Sequence, residues 1–196
     1  LNKVQQTTLP RNIYTFGAYL NLFSRDGDIN GMDKATALLQ AYDFEMNQTI
    51  LGDVMRGYYT AGNWKKSIET LTNWLNDGNQ PTLPLMHLKC CALVRLIAES
   101  DSFAKKCDYY KDLQHTLYME LQQYNLKMDD LIVMTQLCGA INCYCHHDPW
   151  KIVQICDELC DKGLIGYTKY ETRLKKYVID LHLCQLSEAQ FLMRYI

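Results

Sequence analysis

The sequence predicts an all-α array of helix-turn-helix repeats that ends in the first elements of a small α/β domain. Three observations lead there. Asn12-Ile13-Tyr14-Thr15-Phe16 and the turn Arg25-Asp26-Gly27-Asp28 return as Asn47-Gln48-Thr49-Ile50-Leu51 and Thr60-Ala61-Gly62-Asn63, and 35 residues separate both Asn12 from Asn47 and Gly27 from Gly62. A fixed period of this size marks a helical repeat array, in which each hairpin buries its apolar face against its neighbours. The prolines, at 10, 81, 84 and 149, all fall where a helix would begin or end. After Tyr167 the pattern changes, and Tyr177-Val178-Ile179-Asp180-Leu181 has the alternation and β-branched content of a strand.

Taken in order, Tyr14–Phe23 carries a broad apolar face and breaks at Asp26-Gly27-Asp28. Ile29-Asn30-Gly31 reads as extra residues in that turn, and Met32–Phe44 resumes with Met32, Ala35, Leu38, Leu39 and Tyr42 at helical spacing. In the second unit, Ile50, Leu51, Val54, Met55 and Tyr58 form the first helical stripe. Trp64, Ile68, Leu71, Trp74 and Leu75 form the second, with Gly62 closing the helix between them. Asn76–Pro81 is a turn. The third unit is longer. Pro84–Ala98 reads as one helix, Glu99-Ser100-Asp101 as an interruption, and Phe103–Tyr124 as a second, continuous helix. The fourth runs from Leu131 to Tyr144, turns at His146-His147-Asp148-Pro149 and continues through Trp150–Cys160 to a stop at Asp161-Lys162-Gly163. Lys169–Lys176 reads as a charged helix, and Ser187 as the N-cap of a last one.

Composition narrows the function classes. The 196 residues suffice for a sizeable core in one or two domains, and 48% hydrophobic content is ordinary for a globular protein. No run approaches the roughly 18 uncharged apolar residues of a membrane span. Leu1-Asn2-Lys3 has neither a starter Met nor a signal-peptide core, as a mature or trimmed chain would look. Twenty basic against 22 acidic residues give a net charge of −2, which argues against a strongly basic nucleic-acid binder but leaves room for a local basic stripe. The nine cysteines are odd in number and match no small disulfide framework, so they read as mostly structural thiols in a reducing compartment. Cys138, Cys143, Cys145, His146, His147, Cys156 and Cys160 lie close in sequence, but no CxxC pair occurs and helix-face spacing accounts for them as core. No metal or other cofactor is expected.

The repeats resemble those of pentatricopeptide-repeat proteins. The Asn-x-x-Thr-Phe opening at Asn12, the Arg25-Asp26-Gly27-Asp28 and Tyr59-Thr60-Ala61-Gly62-Asn63 turns, the Gln80-Pro81-Thr82 ending and Asp161-Lys162-Gly163-Leu164 carry the resemblance, which spans residues 12–167 after an extension at 1–11. The segment 168–196 reads as a linker helix followed by the start of a second domain. Ile179-Asp180-Leu181-His182 with Ser187-Glu188-Ala189 resembles the opening of a small MutS-related domain, although Leu183 stands where that family has glycine.

This resemblance implies a right-handed superhelical solenoid of about four hairpins. It also implies binding to single-stranded RNA, organellar mRNA or rRNA, in processing, stability, translation or ribosome function, in a mitochondrion or alternatively a chloroplast. The family reads bases through the fifth and last residues of each repeat, here Gly17 and Asn47, then Gly52 and Thr82. Arg56 and Arg95 are the phosphate candidates on the first helices of their hairpins; Lys3, Arg11, Lys65, Lys66, Lys89, Lys105 and Lys106 are further basic residues that could meet phosphate, most of which read as solvated surface. Glycine offers a base no side chain, so Gly17 and Gly52 also read as positions that let helices pack closely. Trp64, Trp74 and Trp150 read as packing residues. Asp180 and His182, two apart on a strand, share a face, and the resemblance makes them a catalytic pair in some members; without that they are a locally bonded strand end. The chain therefore reads as a binding protein rather than an enzyme. Two alternatives stand beside RNA binding: a protein–protein scaffold in an organellar ribosome or transcription complex, and an endonuclease acting through the MutS-related segment.

Overall fold

A computed structural model of the chain describes residues 12–163, 167–171 and 176–179. The chain divides into two compact units, Leu1–Ala92 and Leu93–Ile196, with the boundary inside one helix.

The first unit contains α1 (Ile13–Asp26), α2 (Ile29–Ala41), α3 (Gln48–Thr60), α4 (Trp64–Asn76) and the opening turns of α5 (Leu83–Glu99). The period of 35 is realised bond for bond. Asn12 caps α1 by accepting from the Thr15 N–H at 2.9 Å, and Asn47 caps α3 by accepting from the Thr49 and Ile50 N–H groups, each at 3.0 Å. Gly27 and Gly62 both take left-handed backbone, with φ of 64° and 76°. Behind them, Asp28 N–H donates to Phe23 O at 3.0 Å, and Asn63 N–H to Tyr58 O at 2.8 Å. These six-to-one bonds end a helix in one residue without leaving carbonyls bare. Asp28 and Asn63 then cap the second helices through Gly31 N–H and Lys66 N–H.

This scheme corrects the turn predicted at Ile29-Asn30-Gly31. Those residues are the first turn of α2, with Asp28 as its cap. Gly31 is there for space, since a Cβ would lie 2.5 Å from Phe23 Cδ1 and 2.6 Å from Asp28 Oδ2. The core joins α1, α2 and α3 through Phe16, Leu20, Met32, Ala35, Leu39, Ile50, Val54 and Tyr58. At about 1.5–3 kcal/mol for each large apolar side chain, this cluster outweighs helix propensity in holding the hairpins together.

The second unit holds the end of α5, then α6 (Phe103–His115), a π-helical turn (Thr116–Glu120), α7 (Leu121–Gln123), α8 (Asp130–Tyr144) and α9 (Pro149–Asp161). The predicted continuous helix from Phe103 to Tyr124 is thus interrupted. At the π turn, Leu121 N–H reaches back five residues to Thr116 O. One extra residue is accommodated there, and Tyr110, Leu113, Leu117 and Leu121 all remain buried. Asn125, at φ 54°, ends α7, and Asp129 caps α8 by accepting from Ile132 N–H at 2.9 Å. Pro149 opens α9 behind Asp148, whose carboxylate accepts from Lys151 N–H at 3.3 Å. Helices α6 and α8 pack together, and Gly139 permits it: a Cβ there would lie 2.5 Å from Leu113 Cδ2.

Beyond α9, β1 (Tyr167–Glu171) pairs antiparallel with β2 (Lys176–Ile179), Tyr167 opposite Ile179 and Thr168 opposite Val178. The predicted helix over Lys169–Lys176 gives way at its start to a strand, because Tyr167-Thr168-Lys169-Tyr170 carries β-favouring residues and finds a partner strand in Lys176–Ile179. Among the described residues no helix is long and apolar enough to cross a membrane.

Candidate nucleic-acid interface

Of the residues singled out for readout, Gly17 and Gly52 lie on α1 and α3, the first helices of the first two hairpins, and Asn47 and Thr82 stand just before α3 and α5. The helix caps set a common register. Gly17 follows the cap Asn12 by five residues, and Gly52 follows Asn47 by five. Thr82 occupies the same place before α5, its carbonyl accepting from Met86 N–H at 3.1 Å, so the third fifth position is His87. Asp129 sets the fourth at Met134. The sequence carries a simple signal for this third position, since His87 lies 35 residues beyond Gly52.

The two glycines are not packing devices. A Cβ on Gly17 would meet nothing within 4 Å, and one on Gly52 would sit at an ordinary 3.5 Å from Leu85 Cδ2. The glycines that closeness requires are elsewhere, at Gly31, Gly57 and Gly139. At Gly17 and Gly52 the helix presents bare backbone. At Asn47 the side-chain carbonyl is spent on capping α3, so what the residue can offer a base is its amide NH2. His87 is half-buried, with Nε2 3.4 Å from Cys91 Sγ one turn on. Its ring is an aromatic face as well as a hydrogen-bonding group, both useful against an unstacked base.

Arg56 is exposed but lies 3.7 Å from Asp53 Oδ1. Asp53 is only 8% exposed and also accepts from Asn21 Nδ2 of α1 at 3.1 Å. Arg56 therefore carries a neighbouring counter-charge, and reaching a phosphate would mean giving up or sharing its ion pair with the largely buried Asp53 carboxylate. Arg95 is exposed on α5.

Several other basic residues are committed. Lys89 is buried at 9% exposure, which corrects its reading as a surface cation. Lys66 lies 3.7 Å from Asp33 and 4.4 Å over the Tyr58 ring, and the Tyr58 hydroxyl donates to Asp33 at 2.7 Å. Burial pushes the Tyr58 hydroxyl up, while the Tyr58 contact, ahead of Asp33, raises Lys66. Lys106 Nζ donates to Asn142 O at 3.4 Å. Lys3 and Arg11 lie outside the described residues.

Trp64 and Trp74 are half-buried, as packing residues would be, but Trp150 is 74% exposed at the start of α9. Nearby in sequence, His147 stacks on Phe103 with ring centroids 4.1 Å apart. Among the described residues no three His, Cys, Asp or Glu side chains converge as metal ligands. Of the predicted MutS-related opening, Ile179 ends β2, while Asp180, Leu181, His182 and Ser187-Glu188-Ala189 fall outside the described residues.

No family model matches the chain, and no curated protein matches it. A solved structure does: the pentatricopeptide repeat protein PPR10 from maize, with a TM-score of 0.61 at 12% identity, over 84% of this chain. The fold is pentatricopeptide-like. The match spans 21% of that protein's chain, about a fifth of its length, and at this identity it speaks for architecture.

Proposed function

We propose that the chain is an RNA-binding helical-repeat protein of organellar gene expression. Single-stranded RNA would lie along the first helices of the hairpins in the first unit, α1, α3 and the opening turns of α5. The observation that carries this reading is the common register of Gly17, Gly52, His87 and Met134, each five residues past a cap, on a pentatricopeptide-like fold. Only His87 among them combines an aromatic face with hydrogen-bonding atoms, so readout concentrates there. Arg56 and Arg95 supply phosphate contacts. The process served is RNA processing, stability, translation or ribosome function, and the compartment a mitochondrion, with a plastid as the alternative.

Fluorescence anisotropy with a single-stranded RNA pool over a salt series tests this. The expected result is binding that weakens with salt, weakens roughly five- to tenfold in His87→Ala as one stacking contact is lost, and loses about 0.7 from its log–log salt slope in Arg56→Ala. RNA binding that is absent at low salt, or indifferent to both changes, would turn the assignment to the second reading.

That second reading is a protein–protein scaffold within an organellar ribonucleoprotein. It is favoured by the bare backbone at Gly17 and Gly52 and by the Asp53 carboxylate beside Arg56. For the C-terminal segment, a MutS-related nuclease would place Asp180 and His182 in catalysis. RNA cleavage that survives their joint replacement by alanine removes that idea.

A further inference from the structure

Helices α6 and α8 present two thiols to each other. Cys107 lies one turn before Tyr110 on α6, and Cys143 lies one turn after Gly139 on α8. Close packing at Gly139 brings this side of the two helices together, and the two sulfurs stand 3.9 Å apart. Both are free thiols; Cys107 is half-buried and Cys143 buried. Lys106, adjacent to Cys107, holds its ammonium 3.4 Å from the Asn142 carbonyl, next to Cys143 in the chain. Nothing in the RNA-binding reading uses this pair.

We infer that Cys107 and Cys143 form an oxidation site, in which a peroxide converts the two facing thiols into a disulfide joining α6 to α8. Cys107, the more accessible sulfur, attacks hydrogen peroxide; the O–O bond breaks, and a sulfenic acid and one water result. The Cys143 sulfur then attacks the Cys107 sulfur; the S–S bond forms, the S–O bond breaks, and the departing hydroxide takes the Cys143 proton as a second water. Two thiols are oxidised by two electrons and one peroxide is reduced. Burial, then Cys107 itself, pushes the Cys143 thiol up to about 12, which keeps it protonated and leaves Cys107 to react first. The disulfide ties the second helix of the third hairpin to the first helix of the fourth. It therefore fixes the stacking of one repeat on the next within this unit.

The test uses the full chain, reduced and then exposed to hydrogen peroxide. Peptide mapping without reductant is expected to recover Cys107 linked to Cys143, two hydrogens lighter than the reduced pair and restored by dithiothreitol. The oxidised protein should melt higher by on the order of 5 °C. Cys107→Ala and Cys143→Ala should each abolish both effects. The map of the unaltered protein decides the matter even where a variant folds poorly. Cys107 and Cys143 remaining as thiols, or each pairing with other cysteines, while circular dichroism shows the helices intact, would overturn the inference.

Discussion

Between Asn12 and Asn63 the repeat is reproduced bond for bond, whereas between Thr82 and Asp129 the spacing stretches to 47 residues. Side-chain caps flank this change, but within it Ser102, the residue before α6, makes no side-chain cap bond. Asn12, Asn47 and Asp129 all open first helices with a side-chain carbonyl or carboxylate, and Asp28, Asn63 and Asp148 do the same for second helices. What varies is the body of both helices: α5 has 17 residues against 14 in α1 and 13 in α3, and α6, the π turn and α7 replace a simple 13-residue helix such as α2 or α4. The flanking hairpins are therefore marked by how their helices begin, and the third departs from them in length and in the cap of its second helix. The two units also achieve close contact differently. In the first, Gly57 receives Met32 and Ser24; in the second, Gly139 receives Leu113 beside a pair of thiols.

The sharpest way to break the comparison is Gly57→Ala. Its methyl would overlap Met32 Sδ and lie 3.1 Å from the Ser24 backbone, so a loss of about 2–3 kcal/mol by urea unfolding is expected. A simultaneous Met32→Ala should return part of it, and a strictly additive pair would show that the contact is not the cause. Next comes Asn47→Ala, which strips α3 of a cap serving two N–H groups and should cost about 1 kcal/mol.

Gly17→Ala should act in the opposite direction. With open space around it, removing a helix-interior glycine should raise stability by about 0.5–1 kcal/mol, and destabilisation would mean that the backbone there is in contact after all.

The last effect is nil at neutral pH. In the second unit, burial first, then the neighbouring thiols, raises Tyr144 to about 12, and burial with Cys107 raises Cys143 to about 12. Both folded values lie above the unfolded ones, so the unfolded chain gives up these protons first as pH rises. The melting temperature should hold below about pH 9, the ordinary thiol value, and fall as pH climbs toward about 12. Cys143→Ala should make that fall shallower; an unchanged slope would assign it to other groups.

The first two hairpins were legible because their punctuation is local. Asn before a helix, Gly after it and 35 residues between copies are all visible in one dimension. Ile29-Asn30-Gly31 misled because a glycine four residues after another glycine resembles a turn, while the reason for Gly31 is the Phe23 ring, a neighbour that only folding supplies. The π turn has no comparable signature, since Thr116–Glu120 keeps the apolar spacing of an ordinary helix. Lys89 and Trp150 exchanged their expected surroundings, the lysine buried and the tryptophan exposed, because burial depends on which neighbours arrive. Of the candidate interface, the residue types were readable, but their engagement was not: that Asn47 is occupied as a cap and that Arg56 faces Asp53 are properties of the assembled helices.

The open surroundings of Gly17 and Gly52 have a consequence for protein engineering. A Cβ fits at Gly17 without moving a neighbour, and at Gly52 it meets only the tip of Leu85 at an ordinary 3.5 Å. The two hairpins are thus blank sites on a sound frame, and a reader could be written into them one residue at a time. The quietness of these positions belongs to the side chains the chain happens to carry, and the architecture would accept others.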